Sequence, residues 1–326
     1  MLGKTGRHFF AGDEVVVRSP GQILATLDAD GTLEGLPFMP EMLPYCGRRL
    51  HVSRRVEKTC VEGHARQRRF RANDVVLLEE LRCTGVEHDG CKRGCMILWK
   101  EAWLRHAGLS DPAVHVDNAE VEQLRSRLKI KQAPTHYHCQ STQLAVATEA
   151  FPRIHTLRMI WVALREIWAG DRSVIEVAGL MTHWVRLTLR KRRIGKRVHS
   201  FSGPNKRTPT QRLDLQVGEL VKVKSVHEIV ATLDERSRNR GLRITPAMAL
   251  NCGRQYEVRA RVDRMIMERT GEMREIENTV TLQGSHCMCY YVMGSCPRGE
   301  FLYWREIWLE RAPSSSLSDT GHVRER

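Results

Sequence analysis

Three of the chain's ten cysteines fall in one run, CTGVEHDGCKRGC, where Cys83, Cys91 and Cys95 are separated by seven and three residues. Gly85, Gly90 and Gly94 allow that run to fold back until several sulfurs face one point, which a tetrahedral zinc or an iron–sulfur cluster requires. Cys60 is the expected fourth ligand, and His88, inside the loop, is its substitute. Thiolates are soft donors and select zinc or iron–sulfur over a hard cation such as magnesium. The spacing is not one of the common zinc-finger forms, so an opposing reading stays open: four reduced, partly buried thiols that only pack.

Two further constellations carry donors. His286, Cys287, Cys289 and Cys296, in HCMCYYVMGSC, offer a weaker second metal site. In THYHCQ, an extended chain puts His136 and His138 on one face and Cys139 on the other, so the three cannot bind one ion without a turn. An imidazole beside a thiol also lowers its pKa, which makes Cys139, with His136 or His138, a weak candidate nucleophile; ordinary packing is the plainer reading. The sequence holds no phosphate-binding glycine loop, serine elbow or zinc-protease helix.

The elements that must position these groups are written twice. Residues 12–59 match 218–265 without a gap at an offset of 206: Ile23, Ala25, Thr26, Leu27 and Asp28 return as Ile229, Ala231, Thr232, Leu233 and Asp234. At an offset of 205, Cys91, Arg93, Gly94, Trp99, Glu101, Trp103 and Leu104 return as Cys296, Arg298, Gly299, Trp304, Glu306, Trp308 and Leu309. Cys95 has become Glu300, so the second loop is not a copy of the first. Cys46 and Cys252, each ahead of Gly-Arg, read as a shared packing position. Within each repeat the apolar period is two, as in Val15 and Val17 or Val221 and Val223, which predicts half-buried strands. Short strands and frequent turn residues predict a small bent barrel of SH3-like type. The fold expected is therefore α+β, with β-rich modules at 10–105 and 216–311, a helical insert at 106–198, a basic linker at 199–215 and a disordered tail at 312–326.

In the insert, Asp117 and Glu120 mark a helix start, Pro152 begins a second helix, and a third runs from Ser173 to Arg190 with Val174, Val177, Met181, Trp184, Val185 and Thr188 as a core-facing stripe. Residues 199–212 read as an exposed loop.

The net charge of +14 is local. Ten cations and no acid lie between Arg186 and Arg212, among them Arg190, Lys191, Arg192, Arg193, Lys196 and Arg197. They suggest an unknown protein or anionic partner; nucleic acid is a possible partner without a recognised motif, and a solvated linker is the plain alternative. No apolar run is long enough for a membrane span and no secretory signal opens the chain, so a cytoplasmic setting is expected, where cysteines stay reduced.

The phrases GLPFMPEMLPYCGRR, CKRGCMILWKEAWL, HCQSTQLAVAT, GELVKVKSVHEIVATLD and YWREIWLER resemble a bacterial family of tandem-module, Cys-rich proteins. The resemblance spans about 10–311 and implies the paired modules, the Cys-rich first loop and a place as an accessory gene among biosynthetic genes. It implies no activity. The expected function is a metal-binding accessory or scaffold protein holding Zn or an Fe–S cluster, with a Cys- or metal-dependent tailoring enzyme and a nucleic-acid-binding protein as alternatives.

Overall fold

The strands form because β-branched and aromatic residues alternate between turn-forming glycines, prolines and Asp-rich corners. The computed structural model describes residues 9–64, 67–108, 116–150, 160, 163–164, 167–168, 173–194, 201–287 and 297–313. It is mixed α+β, mostly antiparallel sheet with few helices. The chain divides into unit 1, Met1–Arg190 with Arg264–Glu275 and Met288–Glu300, and unit 2, Lys191–Asp263 with Ile276–Cys287 and Phe301–Arg326. Two stretches of the second repeat thus belong to the first unit.

Unit 1 is built on strands β1 (Glu14–Val17), β2 (Arg49–Arg55), β3 (Val75–Leu78), β4 (Trp99–Lys100) and β5 (Leu104–His106), ordered β4-β3-β2-β1-β5. Unit 2 uses β6 (Leu220–Val223), β7 (Gln255–Arg261), β8 (Thr279–His286), β9 (Phe301–Arg305) and β10 (Leu309–Arg311), ordered β9-β8-β7-β6-β10. The order is the same. So is the register: Val15 faces Leu50 and His106, as Val221 faces Tyr256 and Arg311.

Side-chain bonds repeat as well. Trp103 Nε1 donates to Thr26 Oγ1 at 3.1 Å, and Trp308 Nε1 donates to Thr232 Oγ1 at 2.9 Å. Glu101 accepts from Phe9 N–H and Arg55; Glu306 accepts from the N–H groups of Leu213, Asp214 and Leu215 and lies 3.7 Å from Arg261. Short helices α1 (Pro20–Leu24) and, in unit 2, Val226–Val230 begin with Ser19 and Ser225 in matching capping boxes.

The predicted alternation holds in β6, where Lys222 is exposed between buried Val221 and Val223, but in β1 Val16 is buried too, so that strand is covered on both faces. In the insert, α2 (Asn118–Arg127) starts at Asp117, whose carboxylate caps Ala119 N–H at 3.0 Å, as the sequence indicates. Helix α3 (Gln140–Ala147) was not expected. The predicted helix from Pro152 lies largely outside the described residues. Helix α4 (Val174–Ile194) begins on Ser173 with Glu176 completing its cap, yet its expected core stripe is split: Val177 is buried, whereas Val174 and Val185 are 65% and 44% exposed. A helical stripe shows that one face is apolar, and it does not specify how wide a partner covers it.

From 201 to 212 the basic stretch is, as expected, mostly exposed and free of helix and strand, and it is tethered: Gly203 N–H and Asn205 bond Asp234, Ala231 and Leu233 carbonyls, Asn239 donates to Pro209 O, and Glu306 takes the three N–H groups at 213–215. Polar backbone that would otherwise be left unpaired is tied to the module it precedes.

Candidate metal centre

The loop after β3 closes on itself. Arg82 and Met96 form an antiparallel bridge, Cys83 N–H donates to Cys95 O at 2.8 Å, and Ile97 N–H to Leu81 O at 3.0 Å, so Cys83 and Cys95 stand opposite each other. Between them Gly85 turns the chain with φ +71; its carbonyl accepts from His88 and Gly90 N–H, and a Cβ there would sit 2.0 Å from Cys91 O. Only glycine fits that approach. Cys91 is buried, and its sulfur accepts from Ile266 N–H at 3.4 Å.

A fourth sulfur arrives from the insert. Cys139 is the residue before α3 and is fixed by the next one, Gln140, whose buried amide accepts from Leu98 N–H at 2.8 Å and donates to Leu98 O at 2.8 Å and Pro37 O at 3.0 Å. Cys83, Cys91, Cys95 and Cys139 together line one cavity of about 40 Å³ in unit 1, with His88, apolar Met39, Leu98 and Leu144, and Ser141, Arg298 and Glu300. The four are unbridged thiols. That volume holds an ion or a few waters and is far below the roughly 300–1,000 Å³ of an organic-ligand pocket.

Beside the cavity is Glu41, from the turn Pro40–Tyr45. Its Oε1 lies 2.7 Å from His88 Nδ1 and 3.5 Å from Cys83 Sγ, while its Oε2 is buried with no hydrogen-bond partner. Glu41, Cys83 and His88 are the group whose donor atoms all lie within 4.8 Å of one another among the described residues; the four sulfurs ring the cavity without closing to that spacing. Burial pushes the Glu41 carboxyl up, but the His88 hydrogen bond and charge outweigh it and hold it low; burial pulls His88 down, and Glu41 outweighs that too and raises it. Both shifts favour the ion pair of imidazolium with carboxylate. Burial lifts the thiols: Cys83 well above its ordinary value, Cys95 up to about 12 despite Arg93, and Cys139 upward against its Thr142 hydrogen bonds. Thiols held protonated are poor nucleophiles, and what turns such a group into a thiolate is a bound cation.

The other sequence candidates fall elsewhere. Cys60 does not line the cavity; its carbonyl accepts from Arg298 at 2.8 Å. The expected sharing of one face by His136 and His138 fails: the strand register shifts at His136/Tyr137, leaving His136 exposed and His138 buried, its Nδ1 at 3.0 Å from Gln132 and its Nε2 without a partner. Burial, then Lys129, lowers the His138 pKa. Cys139 is buried rather than presented to solvent. In unit 2, His286 stacks on Phe301 at 4.8 Å and Cys287 packs against the second apolar core; Cys289 and Cys296 lie outside the described residues. Cys46 is buried in the first core, its thiol pushed up to about 12 by burial, and Cys252 packs against the second. Arg190, Lys191, Arg192 and Arg193 end α4, and Lys196 and Arg197 lie outside the described residues. A second hollow, about 360 Å³ and mostly polar, opens on unit 2 beside Arg212 and Arg261, both of which are paired with Asp214.

No family model, curated protein or solved structure matches the chain. The resemblance to a tandem-module bacterial family therefore assigns no role to any residue of this centre. Among the described residues no helix is long and apolar enough to cross a membrane.

Proposed function

We propose that this protein binds a thiophilic metal ion, zinc, at the unit 1 cavity, with Cys83, Cys91, Cys95 and Cys139 as ligands and the Glu41–His88 ion pair beside them. One observation carries the reading: thiols from two separate stretches of chain, the loop Cys83–Cys95 and the residue before α3, line a single cavity the size of an ion. Apolar packing alone gives no reason to bring four thiols to one small space, and it leaves Glu41 Oε2 buried and unsatisfied next to Cys83. His88 has both ring nitrogens engaged, at 2.7 Å to Glu41 and 3.4 Å to His138 O, so it serves as a neighbouring charge rather than a ligand. The cavity is too small for an organic substrate, which argues for a structural ion in an accessory or scaffold protein over a tailoring enzyme. Unbridged thiols suit a reducing compartment, the cytoplasm. The matched sheets, caps and Trp–Thr bonds support descent of both halves from one duplicated module of SH3-like type.

The test is metal analysis with a visible spectrum after anaerobic purification. We expect about one colourless zinc per chain, lost in Cys83→Ser and Cys139→Ser and kept in Cys60→Ser and Cys252→Ser. Folded, metal-free parent protein overturns the reading; iron with sulfide and visible colour overturns the choice of zinc.

A further inference from the structure

The cavity wall contains a charge cluster that the thiols alone do not explain. Arg93 lies between Cys91 and Cys95; it reaches Glu268 at 3.0 Å and Glu300 at 2.9 Å. Arg298 reaches the same two carboxylates, at 2.6 Å and 2.5 Å. Arg93, Glu268 and Arg298 side chains are buried, at 7%, 2% and 7% exposure, and Glu300 is at 23%. The cluster is balanced, two cations and two anions, and Arg93, Glu268 and Arg298 are bonded onward, Arg298 to Cys60 O at 2.8 Å. Glu268 accepts from Glu62 N–H at 2.7 Å and Ser141 Oγ at 3.2 Å, and Arg93 donates to Ile266 O at 3.2 Å. Arg82 spans the top with its guanidinium, donating to Gly94 O at 2.9 Å and Gly299 O at 3.0 Å.

These partners are related by sequence. Arg93 and Arg298, Gly94 and Gly299, and Cys95 and Glu300 occupy equivalent places in the two repeats. The position that is a thiol in one repeat is the carboxylate that ties both arginines in the other. All of these residues belong to unit 1.

We propose that Arg93, Glu268, Arg298 and Glu300 form a positioning brace for the metal centre, in which the loop of Arg298 and Glu300, with a carboxylate at the place matching Cys95, holds Cys91 and Cys95 toward the cavity. The inference rests on the metal reading above. A buried charge quartet is an uneconomical way to fill a core, since apolar residues of the same volume do as well or better; what it supplies is fixed geometry. Partners of this kind behind first ligands typically contribute ten- to a hundredfold in metal affinity.

The experiment titrates the metal-free full chain with Co²⁺ and then Zn²⁺, following the thiolate charge-transfer and ligand-field bands, for the parent, Arg298→Met and Arg298→Lys. The brace predicts roughly ten- to a hundredfold weaker binding and altered ligand-field bands in Arg298→Met, with partial recovery in Arg298→Lys. Unchanged affinity and bands, even with a lowered melting temperature, make the quartet merely structural and overturn the proposal. A parent that binds neither ion overturns the metal reading as well, so the two failures are told apart. Should Arg298→Met not fold, Glu268→Gln decides, because Glu268 does not line the cavity and the change removes only its charge from the quartet: a several-fold loss of affinity supports the brace and parental affinity overturns it.

Discussion

The loops Cys91–Cys95 and Cys296–Glu300 share the pattern Cys-x-Arg-Gly and differ at the last residue. In the first, Cys95 lines the cavity; in the second, Glu300 receives Arg93 and Arg298. The sheets that flank the two loops in sequence match: strand order, register, Trp–Thr bonds and helix caps all recur. The difference lies in the loops: the last position is a thiol beside other thiols in the first and a carboxylate between two guanidinium groups in the second.

If the frames are equivalent, equal injuries should cost them equally. Trp103→Ala and Trp308→Ala each remove a fully buried indole, and each should destabilise its unit by roughly 3–5 kcal/mol. Chemical unfolding followed by circular dichroism should return matched costs; a difference beyond about 2 kcal/mol breaks the comparison, because one indole would then be supporting more than its own sheet.

The next test separates the halves. Glu41 and His88 have Ala247 and Met293 at the matching places, so only the first half should carry their pH dependence. His88 is raised above its ordinary 6.5, so its contribution is complete below that value and fades as pH rises through the folded pKa. Glu41 is lowered below its ordinary 4.5, so its contribution is complete above that value and fades as pH falls through the folded pKa. The pair therefore stabilises most between about pH 4.5 and 6.5 and weakens on the alkaline side. In chelator-treated protein, the gap in melting temperature between the parent and His88→Gln should be widest near pH 5.5 and narrow toward pH 8. A gap that grows with pH contradicts an imidazolium at this position.

The smallest expected effect comes from the caps. Ser19→Ala and Ser225→Ala each lose the hydroxyl that accepts the N3 amide, for about 1 kcal/mol apiece. Unequal losses in thermal unfolding would show that one short helix leans on neighbours the other lacks.

How legible all this was in the sequence depended on distance along the chain. Repeated residues such as Trp103 and Trp308 declare a shared frame because identity at a fixed offset needs no three-dimensional knowledge. Cys83, Cys91 and Cys95 declared themselves through their glycines, whose φ of +71, +76 and +63 at Gly85, Gly90 and Gly94 bends the loop as the spacing suggests. Cys60 is the natural fourth donor by proximity, yet it is Cys139 that lines the cavity with the other three thiols, because Gln140 pins it to Leu98 from a remote segment. Glu41 carried no signal at all: an acid in a proline-flanked turn looks like surface until its neighbours bury it. Periodicity reports which face of an element is apolar, and it is silent on which other element will meet that face.

The assignment of Arg264–Glu275 and Met288–Glu300 to unit 1 has a consequence for biosynthesis. A polypeptide leaves the ribosome from its N-terminus, and domains ordinarily fold as they emerge. Here the first domain cannot finish on that schedule. Cys83, Cys91, Cys95 and Cys139 are all translated well before Arg298 and Glu300, so over that interval the nascent chain carries its thiols without the residues that complete their wall. The cavity wall closes only once Arg298 and Glu300 have followed the thiols out, and a chain that stops before them carries an open cluster of cysteines.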